Sequence, residues 1–263
     1  MDKVYIGKDI KNTLTIDKDS YVVIGKDACI DNFEINIIGC KATIINLSTV
    51  KDKKFNFSEC IASIVEVVND KEDKTLKLNN VGSNIEYNII DLYDDGFDYK
   101  IEEINNSLNI KSSINIASVC YKSNEKNYLI NTSNLRGYDS NEVTCFGIVK
   151  DDSNLNYDVK SYIAKGAKKA VVRQNSNILL FDEASLGKNN PILIIEENDV
   201  KASHGSSVGK IDDDTMFYLC SRGLTRNEAT NLICLGKMEY LIKKIEDNDI
   251  KESLIRDFKE RMI

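Results

Sequence analysis

Phe33-Glu34-Ile35-Asn36-Ile37-Ile38, then Gly39-Cys40-Lys41, then Ala42-Thr43-Ile44-Ile45 is the stretch that decides the fold. Apolar and polar residues alternate in the first run, which puts Phe33, Ile35 and Ile37 on one face of a strand. A short break holding a glycine follows, and a second β-branched run starts at once. The same pattern extends outward. Thr13-Leu14-Thr15-Ile16 and Tyr21-Val22-Val23-Ile24 precede it; Leu76-Lys77-Leu78, Ile85-Glu86-Tyr87-Asn88-Ile89, Ser107-Leu108-Asn109-Ile110 and Ile114-Asn115-Ile116 follow. Asn, Asp, Gly and Ser fill the separators, residues that accept tight-turn dihedrals or bond their own backbone. No long 3.6-residue apolar stripe occurs before residue 210, which excludes a doubly wound α/β fold. Sandwich, barrel, propeller and solenoid remain. No strict repeat is visible, and the short, closely spaced strands put a parallel β-helix slightly ahead of a sandwich.

The period changes after Lys210. Asp212-Asp213-Asp214 precedes Met216, Leu219 and Cys220 on one helical face, with Gly223 as a C′ glycine. Thr225 and Glu228 form a capping box, worth on the order of 1 kcal/mol, ahead of a helix carrying Cys234, Met238, Leu241 and Ile245. Asp249 with Glu252 predicts the cap of a last helix bearing Leu254, Phe258 and Met262. The apolar face of this helical hairpin needs a cover. Packing on the end of the β-domain is the plain reading; docking a partner is the sharper one.

The 263 residues are 42% hydrophobic and 29% charged, too apolar for disorder. A formal net charge of −7, six scattered arginines and no basic patch argue against nucleic acid or an anionic membrane as partner. Met1–Lys8 lacks the apolar core of a signal peptide, and runs such as Ile178–Phe181 and Ile192–Ile195 are far short of a bilayer span. Seven cysteines without any CxxC pair, beside a single histidine, fit neither a disulfide framework nor a preformed zinc site. The expectation is a reduced, cytoplasmic protein.

Catalytic motifs are scarce. Gly205-Ser206-Ser207-Val208-Gly209-Lys210 approximates a phosphate-binding loop, but three residues separate the glycines where four are needed, and Ile211 replaces the Ser/Thr that would hold magnesium. Any histidine-dependent site must use His204. Cys29, Cys40, Cys60, Cys120, Cys145, Cys220 and Cys234 read first as small buried hydrophobes. Cys120 and Cys145 lie in strand-like segments where alternate positions would expose a thiol.

Around the junction, Val200-Lys201-Ala202-Ser203-His204-Gly205-Ser206-Ser207-Val208-Gly209-Lys210-Ile211-Asp212 closely resembles the SufB/SufD family of iron–sulfur assembly proteins, particularly its SufD-like members. Phe217-Tyr218-Leu219-Cys220-Ser221-Arg222-Gly223-Leu224, Gly166-Ala167-Lys168-Lys169 and Asn177-Ile178-Leu179-Leu180 resemble the same pattern. The likeness runs from about residue 116 to 245 and is strongest over 160–235. The first hundred residues carry no family signature. The chain is shorter than typical members, as if N-terminal material had been lost.

The resemblance implies a right-handed parallel β-helix over residues 1–210 and a C-terminal α-helical region over 211–263 that docks a SufC-type ABC ATPase. It implies pairing with a SufB/SufD-type subunit, as a homodimer or heterodimer. The assembly would be a non-enzymatic scaffold carrying an iron–sulfur cluster transiently, shared with the partner, with ATP hydrolysis and the nucleotide site left to the ATPase. His204 matches the histidine of the SufD-type Ser-His-Gly motif, a candidate iron ligand or interface residue; Cys145 and Cys120 are more distant candidates. SufB-type members carry an acidic residue where Gly205 stands and a cysteine where Asn175 stands, so a SufB-like cluster site is not implied. Two other readings stand beside this one. One is a β-solenoid protein-binding module that has lost the cluster role; the other is a polysaccharide-active β-helix enzyme, which would need clustered carboxylates.

Overall fold

In the computed structural model, which describes residues 2–7, 12–28 and 32–262, the strands alternate between two parallel sheets. One sheet takes the odd strands: β1 (Asp2–Ile6), β3 (Ser20–Ile24), β5 (Lys41–Asn46), β7 (Ile61–Val68), β9 (Asn84–Asp91), β11 (Lys111–Cys120), β13 (Ser140–Val149), β15 (Val171–Leu180) and β17 (Lys201–Gly209). The other takes the even ones: β2 (Thr13–Ile16), β4 (Asn32–Ile38), β6 (Asp52–Ser58), β8 (Lys74–Val81), β10 (Phe97–Asn105), β12 (Glu125–Asn134), β14 (Asn154–Ile163) and β16 (Leu186–Ile195). Each turn of chain lays one strand on each sheet. The result is a two-sheeted parallel β-solenoid, as the short, closely spaced strands predict.

One rung advances the chain by 20 residues where Ala42 pairs with Ala62, and by 31 where Val143 pairs with Gln174. That drift hides the repeat from a fixed-period search. Alternation supplies the core: Ile35, Ile37, Ile44, Phe55, Phe57, Ile64, Tyr87, Ile116, Tyr128 and Tyr157 all point into the lumen between the sheets. Each fully buried side chain of this size stabilises by roughly 1.5–3 kcal/mol. Gly39, in the break between β4 and β5, has φ +62°, a left-handed value that glycine adopts without steric cost. Gly137 is needed for space, since a Cβ there would sit 2.5 Å from the carbonyl oxygen of Lys168. The lone proline, Pro191, lies in edge strand β16, where a missing donor is tolerated. Ser107–Ile110 is not the strand its alternation predicts. It is the turn into β11, with Asn109 at φ +62° and Leu108 exposed.

Three helices follow: α1 (Asp213–Ser221), α2 (Arg226–Ile242) and α3 (Asn248–Met262). The Thr225–Glu228 capping box forms in both directions, and Gly223 takes φ +97°. The last helix begins earlier than its predicted cap, because Asp247 accepts from the backbone N–H of Ile250 at 3.3 Å. Cys234, Met238, Leu241 and Ile245, joined by Leu254, Phe258 and Met262, pack on Tyr21, Ile45, Val65, Val67, Ile90 and Val119. The hairpin therefore covers the outer face of the nine-stranded sheet over its middle rungs, not the end of the solenoid. Lys3–Asp247 and Lys244–Glu86 ion pairs clamp it there. None of the described helices is long and apolar enough to cross a membrane.

Candidate functional site

Inward positions of adjacent odd strands line up in columns from rung to rung. Val143, Gln174 and His204 form one such column, and Cys145, Ser176 and Ser206 the next. Gln174 is buried and well tied: its Nε2 donates to Ser161 Oγ at 2.9 Å, to the carbonyl of Ile192 at 3.0 Å and to that of Val159 at 3.2 Å. His204 takes the same inward place on β17 but is exposed, since β17 is the last strand of its sheet. β16 ends the other sheet. Together they leave Leu186, Ile192, Ile194, Ile195 and Val208 exposed at one end of the molecule. Asn189 partly closes this end, donating to the carbonyls of Ser176 at 3.2 Å and Ser207 at 2.9 Å. The glycine-rich stretch around Gly205 is extended strand here and makes no phosphate-binding loop.

The cysteine candidates sit deeper. Cys145 and Cys120 face the lumen, both essentially fully buried, so the expected exposure at alternate positions does not occur. Burial pushes the Cys145 thiol up to about 12 and the Cys120 thiol up to about 11. Cys120 Sγ donates to the carbonyls of Asn154 and Asn124 at 3.2 and 3.4 Å. Cys145 lies two rungs below β17 and one inward place along. Strand spacings of ~4.8 Å and a rise of ~3.3 Å per residue put its Cα about 12 Å from that of His204. A metal bonded to both would need them within about 5 Å through their side chains. The fold does not bring them together within one chain. Cys40, Cys60 and Cys234 are buried, Cys220 is half-buried, and Cys29 lies outside the described residues. Among the described residues no three His, Cys, Asp or Glu side chains form a metal-binding group.

Two further surfaces stand out. A cleft of ≈ 310 Å³ opens between the sheet and α2, lined by Asn115, Thr144, Asn175, Lys237 and Tyr240 among others. On the helical side, Phe217, Tyr218, Leu232 and Tyr240 are exposed, Phe217 to 76%.

Sequence reasoning missed the charged clusters inside the lumen. Glu66 pairs with Lys53 and accepts from Tyr87 Oη at 2.5 Å and Tyr99 Oη at 2.8 Å. Burial alone would raise its carboxyl, but the lysine and the two hydroxyls hold it below its ordinary value. Three rungs of strand further on, Lys126 binds both oxygens of Asp91 at 2.9 Å and the carbonyls of Tyr93 and Val119 at 2.6 and 2.8 Å. Asp91 also accepts from Ser118 Oγ at 2.6 Å and Tyr128 Oη at 2.7 Å. The signal was available: Lys53 is in phase with Phe55 and Phe57, and Lys126 with Tyr128 and Ile130, so both lysines fall on the apolar stripe of their strands.

Residues 108–237 match the family described as SUF system FeS cluster assembly, SufBD core domain. That segment runs from the turn before β11 into α2 and includes the whole exposed end. The iron–sulfur cluster assembly protein SufD of Bacillus subtilis is 35% identical over 109 residues, covering 41% of this chain and 25% of that protein. SufD of Escherichia coli is 30% identical over 115 residues, 44% of this chain and 27% of its own length. An iron–sulfur cluster assembly SufBD family protein of Pyrococcus horikoshii is 31% identical over 98 residues, 37% of this chain and 22% of its own. The chain thus aligns with about a quarter of the length of these curated relatives. The match over residues 108–237, together with these relatives, supports membership of the SufB/SufD family.

Proposed function

We propose that this chain is a scaffold or accessory subunit of the SUF iron–sulfur cluster assembly complex, non-enzymatic itself and acting with a SufC-type ATPase. The observation that carries the reading is the bare last rung of the family's core domain. There β16 and β17 each have a neighbour on one side only, and His204 is exposed in an inward position. A SufB/SufD-type partner, whether a second copy or a different subunit, would stack there and bring further ligands. The cluster, as cargo, then needs only His204 from this chain, which suits the depth of Cys145 and Cys120. Nucleotide chemistry belongs to the ATPase, for which the exposed Phe217 and Tyr218 of α1 offer an aromatic anchor. This reading places the protein in the cytoplasm.

A second reading, a β-solenoid binding module that has lost the cluster role, is favoured by one observation: the lumen thiols Cys145 and Cys120 are sealed in the core. The test is reconstitution. The chain, a SufC-type ATPase and a SufB-type subunit are mixed and sized, then loaded anaerobically with iron and sulfide. A three-part complex should form and hold a cluster that none of the parts holds alone. His204→Ala should lower cluster yield several-fold with the complex intact, and Phe217→Ala with Tyr218→Ala should weaken ATPase binding. Failure to bind the ATPase sinks the proposal; a complex that never retains iron leaves the second reading.

A further inference from the structure

Among the described residues, buried carboxylates inside the solenoid come with a lysine, except in one cluster. Glu66 has Lys53 and Asp91 has Lys126, with all four side chains at most 1% exposed. Glu103 points inward from β10 and is 1% exposed, yet no lysine or arginine side chain bonds it among the described residues. Asp139, just before β13, is equally buried, and among the described residues its carboxylate accepts one hydrogen bond, from the backbone N–H of Ile110 at 3.1 Å. Amides and one hydroxyl surround Glu103, and beyond burial the Asp139 charge is near enough to raise its carboxyl further. Ser112 Oγ accepts from the Asn141 amide at 2.7 Å and the Asn105 amide at 3.3 Å, and Asn141 also donates to Glu103 Oε2 at 2.6 Å.

This cluster has too many lone pairs. Glu103 Oε1, Asn105 Oδ1, Asn141 Oδ1 and Asp139 Oδ2 are buried acceptors without a donor. A single unpaired donor, Asn134 Nδ2, stands against the four. Buried acceptors left unpaired are costly, and a buried carboxylate without counter-charge more so. Burial pushes the Glu103 carboxyl up to about 7 and that of Asp139 up to about 6, the direction expected of carboxyls sealed away from water without a counter-charge.

We propose that Glu103, Asp139, Asn105 and Asn141 form a buried site for a hard divalent cation of the calcium class. The donor set is all oxygen, with two carboxylates to match a double charge and two amide carbonyls beside them. Softer metals prefer the sulfur and imidazole donors that are missing here, and magnesium demands a stricter octahedron and keeps its waters. The ion supplies the counter-charge that Lys53 and Lys126 supply in the other two clusters. It ties β10 and β13 across the lumen, away from the open end, and does not depend on the cluster role of His204.

The full chain is stripped with a chelator, dialysed against calcium or magnesium, and assayed for bound metal and thermal midpoint. Terbium luminescence excited through lumen tyrosines such as Tyr99 and Tyr128 gives a second readout. One calcium should be retained per chain, the midpoint should rise with calcium concentration, and calcium should displace terbium. Glu103→Gln and Asp139→Asn should each weaken binding at least tenfold, with circular dichroism reporting the fold, while His204→Ala should leave it unchanged. Should one variant fail to fold, the other carries the test. No retained metal and no calcium-dependent midpoint in the unaltered chain would overturn the site, leaving a protonated Glu103 in its place. Unchanged binding in both variants would overturn it equally, by placing the ion elsewhere.

Discussion

In the middle of the solenoid and at its last rung, residues at equivalent inward positions meet opposite surroundings. Val143 is 0% exposed and Gln174 3%, whereas His204, next in the same column, is open to solvent. Cys145 and Ser176 are buried and Ser206 is not. These side chains share an orientation. What differs is whether another turn of chain stacks above them. Burial in a solenoid is set by the neighbouring rung, so a polar group in the middle must be satisfied on the spot, while one at the end can wait for another chain. Substitutions in the middle should therefore cost stability, and those at the end should cost assembly.

Lys126→Met should cause the largest loss, in the middle of the solenoid. It leaves Asp91 buried with its cation gone, a loss of about 3–5 kcal/mol by analogy with other buried pairs. Urea unfolding of the isolated chain would measure it. Adding Asp91→Asn should recover a large part, because the uncompensated charge rather than the missing contact carries the cost. If the single variant unfolds at the same urea concentration as the parent, the lumen is wetter than its packing indicates.

Glu103 gives the next largest effect, as a pH dependence in metal-free solution. Its carboxyl is raised by burial to about 7 in the folded chain, against an ordinary value of 4.5. The folded state therefore binds the proton more tightly than the unfolded one. Its contribution is fully present below pH 4.5 and is lost as pH rises through 7, for about 3 kcal/mol in total. Stability should fall over that window, and Glu103→Gln should remove the Glu103 share of the slope, leaving that of Asp139, whose carboxyl burial raises to about 6. Saturating calcium should flatten the profile, since a bound cation favours the ionised carboxylate.

How much of this was legible in the sequence depends on the length scale of the cause. Strand and helix positions are local, and Phe33–Ile38 or the Thr225–Glu228 box announces itself within a few residues. The Ser107–Ile110 turn misled because two apolar residues two apart satisfy the strand pattern, and only the left-handed backbone at Asn109 shows otherwise. The solenoid repeat was invisible because the rung lengthens along the chain. The hairpin's seat on the outer sheet face was hidden for a related reason: Val65, Val67 and Ile90 read as core whichever side they face. Of the candidate site, His204 was found through a motif, whereas the depth of Cys145 and the unpaired acceptors around Glu103 depend on contacts between strands about 30 residues apart.

Val208→Asp, at the last rung, should produce the smallest change in the isolated chain. Val208 is inward on β17, in register with fully buried Ile178, and is 42% exposed. A carboxylate there keeps its water, so the isolated chain should unfold within about 0.5 kcal/mol of the parent. Placed one rung earlier, as Ile178→Asp, the same charge would be sealed in the lumen and should prevent folding. Stacking of a partner on β17 would seal Val208→Asp in the same way, so this variant should lose association with a SufB/SufD-type subunit by tenfold or more while remaining folded. Sedimentation of the mixture reads that out directly. Undiminished association would mean that the last rung stays open in the complex, and that His204 faces solvent there as well.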